Sequence, residues 1–127
     1  MITAILITTS LVSLILAALV GFQGLRPLSN RLFVGISLCF AVWHLGVLAF
    51  LTTPSVDVAL MATKVFYVAA GLFPPLLLAF ALVYPAPRKP VSNLTLGSLA
   101  FAGVAMAAAV AFVPHFMVQS ISLEIGA

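Results

Sequence analysis

The sequence predicts an all-α membrane protein of four transmembrane helices, N-out and C-out, with a short C-terminal extracellular strand-like segment. Three observations carry this: a composition with almost no charge, four apolar runs each long enough to cross a bilayer, and loop cations confined to alternate connections. Hydrophobic residues make up 65% of the 127 residues and charged residues 6%, against roughly 25% charged in an ordinary soluble domain. A water-soluble fold is thereby excluded, and the lipid bilayer is the first partner the chain requires. A chain this short forms a single transmembrane domain, residues 1–127. Its five Lys and Arg residues are too few for a nucleic-acid surface, and the lone Cys39 provides neither an intrachain disulfide nor a thiolate metal site.

The four runs lie near residues 2–22, 32–51, 58–84 and 94–113, followed by a tail over 114–127. Each meets the roughly 20 residues a helix needs to cross the hydrocarbon core. The first has a small, polar face in Ser10, Ser13, Ala17 and Gly21, read as helix packing in preference to ion coordination. No Lys or Arg precedes it, which fits an exported amino terminus and argues against a cleaved signal peptide. The connection over 21–31 carries Gly24, Arg26, Pro27 and Arg31. In the second run Asn30, Ser37 and His44 recur every seven residues, so they share one helical face, which in lipid should turn toward other helices.

A break over 52–57 with Pro54 leads to the third run. At about 26 residues and 1.5 Å each it spans close to 39 Å against a core of about 30 Å, so it must tilt or begin in the interface. Gly71, Pro74 and Pro75 mark its middle. The prolines deny the carbonyls of Ala70 and Gly71 their helical donors, which predicts a bend, either a movable hinge or a static kink. The break over 85–93 holds three prolines with Arg88 and Lys89. The fourth run is rich in Ala and Gly, with Gly103, Ala107 and Ala111 at four-residue spacing, and reads as a packing helix.

Arg26, Arg31, Arg88 and Lys89 set the topology, because cytoplasmic loops retain Lys and Arg. The first and third connections are therefore expected to be cytoplasmic and both termini outside. Beyond Pro114, Ser120, Ser122 and Glu124 alternate with Ile121, Leu123 and Ile125, the period of a strand. A single strand would need a partner.

Four residues are candidates for ligand binding: Lys64, Tyr67, His44 and Trp43. Lys64 and Tyr67 are one turn apart near the outer surface, where they either line a cavity for an anionic or amphipathic molecule or anchor the helix at the headgroups. Lys64 also follows Asp57 by two turns on one face. His44, beside Trp43, is either a proton-responsive or ligand-contacting group or an interhelical hydrogen-bonding one. No catalytic residues, metal site or cofactor are expected. Asp57 and Glu124 are the only acids, neither is paired with another carboxylate, and no His cluster or Gly-rich phosphate loop occurs.

Asn30-Arg31-Leu32-Phe33 enters a span that contains Trp43. Lys64-Val65-Phe66-Tyr67-Val68-Ala69-Ala70 follows, and then Phe73-Pro74-Pro75-Leu76-Leu77-Leu78-Ala79-Phe80, closing on Tyr84-Pro85. This order resembles the amino-terminal seven-helix sensor region of bacterial histidine kinases and diguanylate cyclases, over its first four helices. The resemblance implies a multi-pass protein of the bacterial inner membrane and a sensory, signal-input function toward a small molecule or lipid. It implies as partner a histidine kinase or cyclase output domain, in cis or in trans, and admits a homo-oligomer. On it, the chain is either a fragment of a longer reading frame or a short stand-alone relative. The competing classes are a small four-helix transporter, disfavoured by the absence of an acid in the first span, and a structural membrane subunit that needs only helix contacts.

Overall fold

A computed structural model describes residues 1–85 and 90–112 as four helices: α1 (Ile2–Gln23), α2 (Leu28–Thr52), α3 (Val56–Val83) and α4 (Asn93–Phe112). All four are long and apolar enough to cross a membrane. Arg88, Lys89 and the strand-like segment over 120–125 lie outside the described residues, and no strand occurs among the described ones.

The helices start and stop where backbone chemistry requires. Gly24 ends α1 at φ 113° and ψ 140°, a conformation open essentially to glycine alone, and its N–H donates to the Gly21 carbonyl at 3.2 Å. Pro27 then opens α2 with φ −66°, which suits a proline at a helix start. The helix begins at Leu28, four residues before the apolar run, so Asn30 and Arg31 lie in its first turn rather than in the loop. Asn30 uses that place to tie the corner, donating from Nδ2 to the Gly24 carbonyl at 2.9 Å. At the start of α3, Asp57 lies in the first turn, where the helix dipole favours a negative charge. Ser92 caps α4, its Oγ accepting from the Thr95 N–H at 3.2 Å and lying 2.8 Å from Thr95 Oγ1.

Packing follows chain order: α1 against α2, α2 against α3, and α3 against α4. The interior is the reverse of a soluble core. Among the described residues, five of the six buried hydrophobic ones are alanines, Ala17, Ala41, Ala62, Ala69 and Ala79, whereas Leu, Ile, Val and Phe side chains are exposed along every helix. Lipid solvates these large side chains, and small residues let backbones approach. The closest approach is at Gly46, where a Cβ would lie 2.8 Å from Phe66 Cβ and 3.3 Å from the Phe66 backbone nitrogen. On the other side of α3, a Cβ at Gly103 would lie 3.0 Å from Pro75 Cγ, and one at Gly71 would lie 3.0 Å from Met106 Cγ. Helix α3 is thus clasped on two sides by glycine contacts.

Polar groups inside the layer are satisfied locally. Ser10 Oγ donates to the Leu6 carbonyl and Thr63 Oγ1 to the Ala59 carbonyl, each at 2.8 Å, and both residues are buried. Among the described residues, no buried side-chain polar atom lacks a partner. Helix α3 runs unbroken through Pro74 and Pro75 over 28 residues, about 42 Å.

The glycine contacts generate a stability test. Gly46→Ala meets a Cβ and a backbone nitrogen, neither of which can swing aside, so the two helices must separate, at a cost of about 1–3 kcal/mol. Gly21→Ala meets nothing within 4 Å and is expected to be neutral or stabilising by up to about 1 kcal/mol. Unfolding of both variants in detergent micelles checks the contrast.

Candidate functional site

Three open hollows among the described residues flank the seam between α2 and α3; one of about 610 Å³ runs from Gly46 to Asp57, and the other two share Cys39 and Ala69. The larger of those two, about 530 Å³, is a groove lined by Leu38, Cys39 and Val42 of α2, by Met61, Lys64, Val65, Val68, Ala69 and Leu72 of α3, and by Ala111 of α4. Met61, Val65, Val68 and Leu72 lie three or four residues apart and form one stripe of α3, with Lys64 at its border. The smaller, about 230 Å³, is bounded by Cys39, Phe40, Trp43, Ala69, Ala70 and Phe73, with the Phe40 and Phe73 rings edge to face at 4.6 Å.

The four candidate ligand residues are distributed over these surfaces. Lys64 lies in the larger groove and is exposed; Trp43 borders the smaller hollow. Tyr67, one turn from Lys64, lines neither; its ring lies 4.7 Å from that of Phe66, and it is exposed. His44 also lines neither. Its Nδ1 lies 2.6 Å from the Phe40 carbonyl, which requires the proton on Nδ1 and leaves Nε2 as an acceptor when the ring is neutral. Its distance from Gly46 along α2, two residues or about 200°, turns it away from α3 and toward the side that α1 covers. The stripe of Asn30, Ser37 and His44 shares that side: Ser37 is buried and the other two are half-buried.

The proline pair has a packing role that composition did not announce. Pro75 receives Gly103, Gly71 faces Met106, and Pro75 with Leu72, Leu76 and Ala79 also borders a hollow of about 440 Å³ against Leu96, Leu99 and Ala100 of α4. The stretch of α3 read as a hinge is therefore where α4 docks. Leu72 borders both this hollow and the Lys64 groove, and links them. Leu38, Val42, Val68, Leu72 and Ala111 were not legible as site residues, because an apolar side chain in an apolar span has no contrast with its neighbours. The three-and-four spacing of the Met61 stripe was the one signal available.

Helices of this length and polarity define the class as a multi-pass helical membrane protein. Residues 5–124, nearly the whole chain, match the family model described as the N-terminal 7TM region of histidine kinase, and the chain belongs to that family. The match includes every residue from Asn30 to Pro85 on which the resemblance rested. The protein is thus a membrane sensory module, and the matched region is an input region. No curated protein and no solved structure matches the chain.

The geometry separates groove residues from clasp residues. Lys64→Met alters an exposed side chain and is expected to change stability by less than about 0.5 kcal/mol. Gly103→Leu starts 3.0 Å from Pro75 Cγ and 3.4 Å from Leu72 Cδ2, and is expected to cost about 1–3 kcal/mol, read by the same unfolding measurement.

Proposed function

We propose that the chain receives its signal in the groove beside Lys64, in the outer half of the bundle of a bacterial inner-membrane sensor. A filled groove would be felt at the α3–α4 contact. The observation that carries this is that one groove contains a cation and residues of three helices, including Leu72 next to the Pro75–Gly103 contact and Ala111 of α4. A molecule occupying it changes the space between α2, α3 and α4 without disturbing the tight Gly46 contact. The Gly71–Pro75 stretch is the movable part, because two missing amide donors weaken the helix there and α4 rests on it.

In this reading Trp43 closes the smaller hollow behind the groove, Tyr67 anchors α3 at the headgroup level, and His44 secures α2 against α1. Arg26, Arg31, Arg88 and Lys89 hold the first and third connections in the cytoplasm, with the termini outside. The output partner is a histidine kinase or cyclase domain, in cis or in trans, and a homo-oligomer would bring two such outputs together.

Fusion of the chain to a histidine kinase output, with autophosphorylation as readout, tests the proposal against a panel of membrane-active stimuli. Lys64→Met is expected to shift the midpoint of the effective stimulus by about tenfold or more, within the range of ordinary coupling energies, and Tyr67→Phe to leave it in place. A response identical in the wild type and Lys64→Met for every stimulus removes the groove from the signal path. Cation uptake driven by a pH gradient in proteoliposomes would instead favour a transporter.

A further inference from the structure

The groove beside Lys64 has a polarity that selects a class of ligand. Its volume of about 530 Å³ falls within the roughly 300–1,000 Å³ typical of small-molecule sites. Apart from Lys64 its lining is apolar or weakly polar, dominated by Leu38, Val42, Val65, Val68 and Leu72. The charge is not central. Lys64 precedes Leu72 by eight residues, so an apolar run of about 12 Å extends from the cation toward the middle of the membrane. A site with a cation at one end and a hydrocarbon slot at the other has the shape of an amphiphile.

Depth agrees with this shape. Helix α3, about 42 Å long, exceeds a core of about 30 Å, and Lys64 lies eight residues, about 12 Å, below its start at Val56. A centred helix puts the Lys64 backbone about 6 Å inside the hydrocarbon, from where the ammonium snorkels to the boundary at which a lipid head lies. Charge complementarity fixes the sign. Asp57, the one acid among the described residues, is seven residues away, about 10 Å along the axis in the first turn of α3, and lines an adjoining hollow that shares Val42, Met61 and Val65 with the groove. Among the described residues Lys64 has no other carboxylate to pair with, and a cation at this depth favours an anionic partner.

We infer that the groove takes a single-chain anionic amphiphile from the outer leaflet, its carboxylate or phosphate head on the Lys64 ammonium and its chain along Val65, Val68 and Leu72. This rests on the reading of the groove as the input site. Moving a hydrocarbon chain from bilayer to groove exchanges one apolar surrounding for another, so chain burial contributes little selectivity. The head–Lys64 pair provides it, and the slot between α2 and α3, with Ala111 at its margin, admits one chain and discriminates against two.

The test uses the full chain in nanodiscs of zwitterionic phosphatidylcholine and diazirine-bearing probes: a sixteen-carbon fatty acid, the corresponding alkyl phosphate, the uncharged alcohol, and a two-chain phosphatidylglycerol. Saturable crosslinking to residues of the groove is expected for the fatty acid, the alkyl phosphate or both, and the two arms identify the head. Lys64→Met should weaken it at least tenfold, Lys64→Arg should retain it, and Val68→Trp should block it. Circular dichroism and gel filtration establish that each variant folds. Equal labelling by the alcohol, equal labelling of Lys64→Met, or labelling only by the two-chain lipid overturns the inference. The kinase-fusion readout keeps the two claims separate. Lost labelling with a Lys64-dependent response rejects this ligand class alone, and Lys64-dependent labelling with a Lys64-independent response rejects the input reading alone.

Discussion

In a bilayer, burial of apolar side chains does not drive helices together, because lipid is as apolar as the interior. The fold depends instead on how closely backbones can approach. Gly46 provides the nearest contact, against Phe66, and the Gly103–Pro75 and Gly71–Met106 contacts repeat the device on the other side of α3. The alanine-rich interior and the exposed Leu, Ile, Val and Phe surface are two aspects of one constraint. Large residues in the seams would hold the helices apart, and at the surface they are solvated by lipid.

The same constraint shapes the site. At Gly46 the α2 and α3 backbones meet beside a hollow of about 610 Å³ that reaches Asp57, and farther along the seam, at Cys39 and Ala69, two more hollows open. Lys64 lies on the wall of the larger of these two, with Ala111 of α4 on the same groove. The tight contact toward one end, the groove beyond it and the α4 contact at Pro75 all lie on α3. Its proline pair lies in the middle, where α4 rests.

Much of this was legible in the sequence, and the remainder was hidden for identifiable reasons. Span number and approximate limits followed from apolar run length, and the family followed from the order of short motifs between Asn30 and Pro85. The apolar run that marks α2 begins at Leu32, but the helix itself begins at Leu28, where Pro27 and the Asn30–Gly24 hydrogen bond set the boundary, because polarity marks the span and not the helix that carries it. Lys64 and Tyr67 are one turn apart, yet a turn is not a whole number of residues, and the groove lies on the side of Lys64 that Tyr67 does not share. Gly46 was invisible as a contact because it stands in an uninterrupted apolar run. What a glycine touches depends on the facing helix, which one sequence does not specify.

The central claim is that filling the Lys64 groove displaces α4 relative to the rest of the row. Spin labels at Phe22→Cys on α1 and Leu94→Cys on α4, in a Cys39→Ala background, occupy exposed positions near one membrane surface at opposite edges of the row. Pulsed dipolar spectroscopy in nanodiscs reads the distance between them. With the groove filled, by Val68→Trp or by saturating single-chain amphiphile, the account predicts a shift in the mean distance of about 1–2 Å or more. An unchanged distribution under both conditions would contradict it.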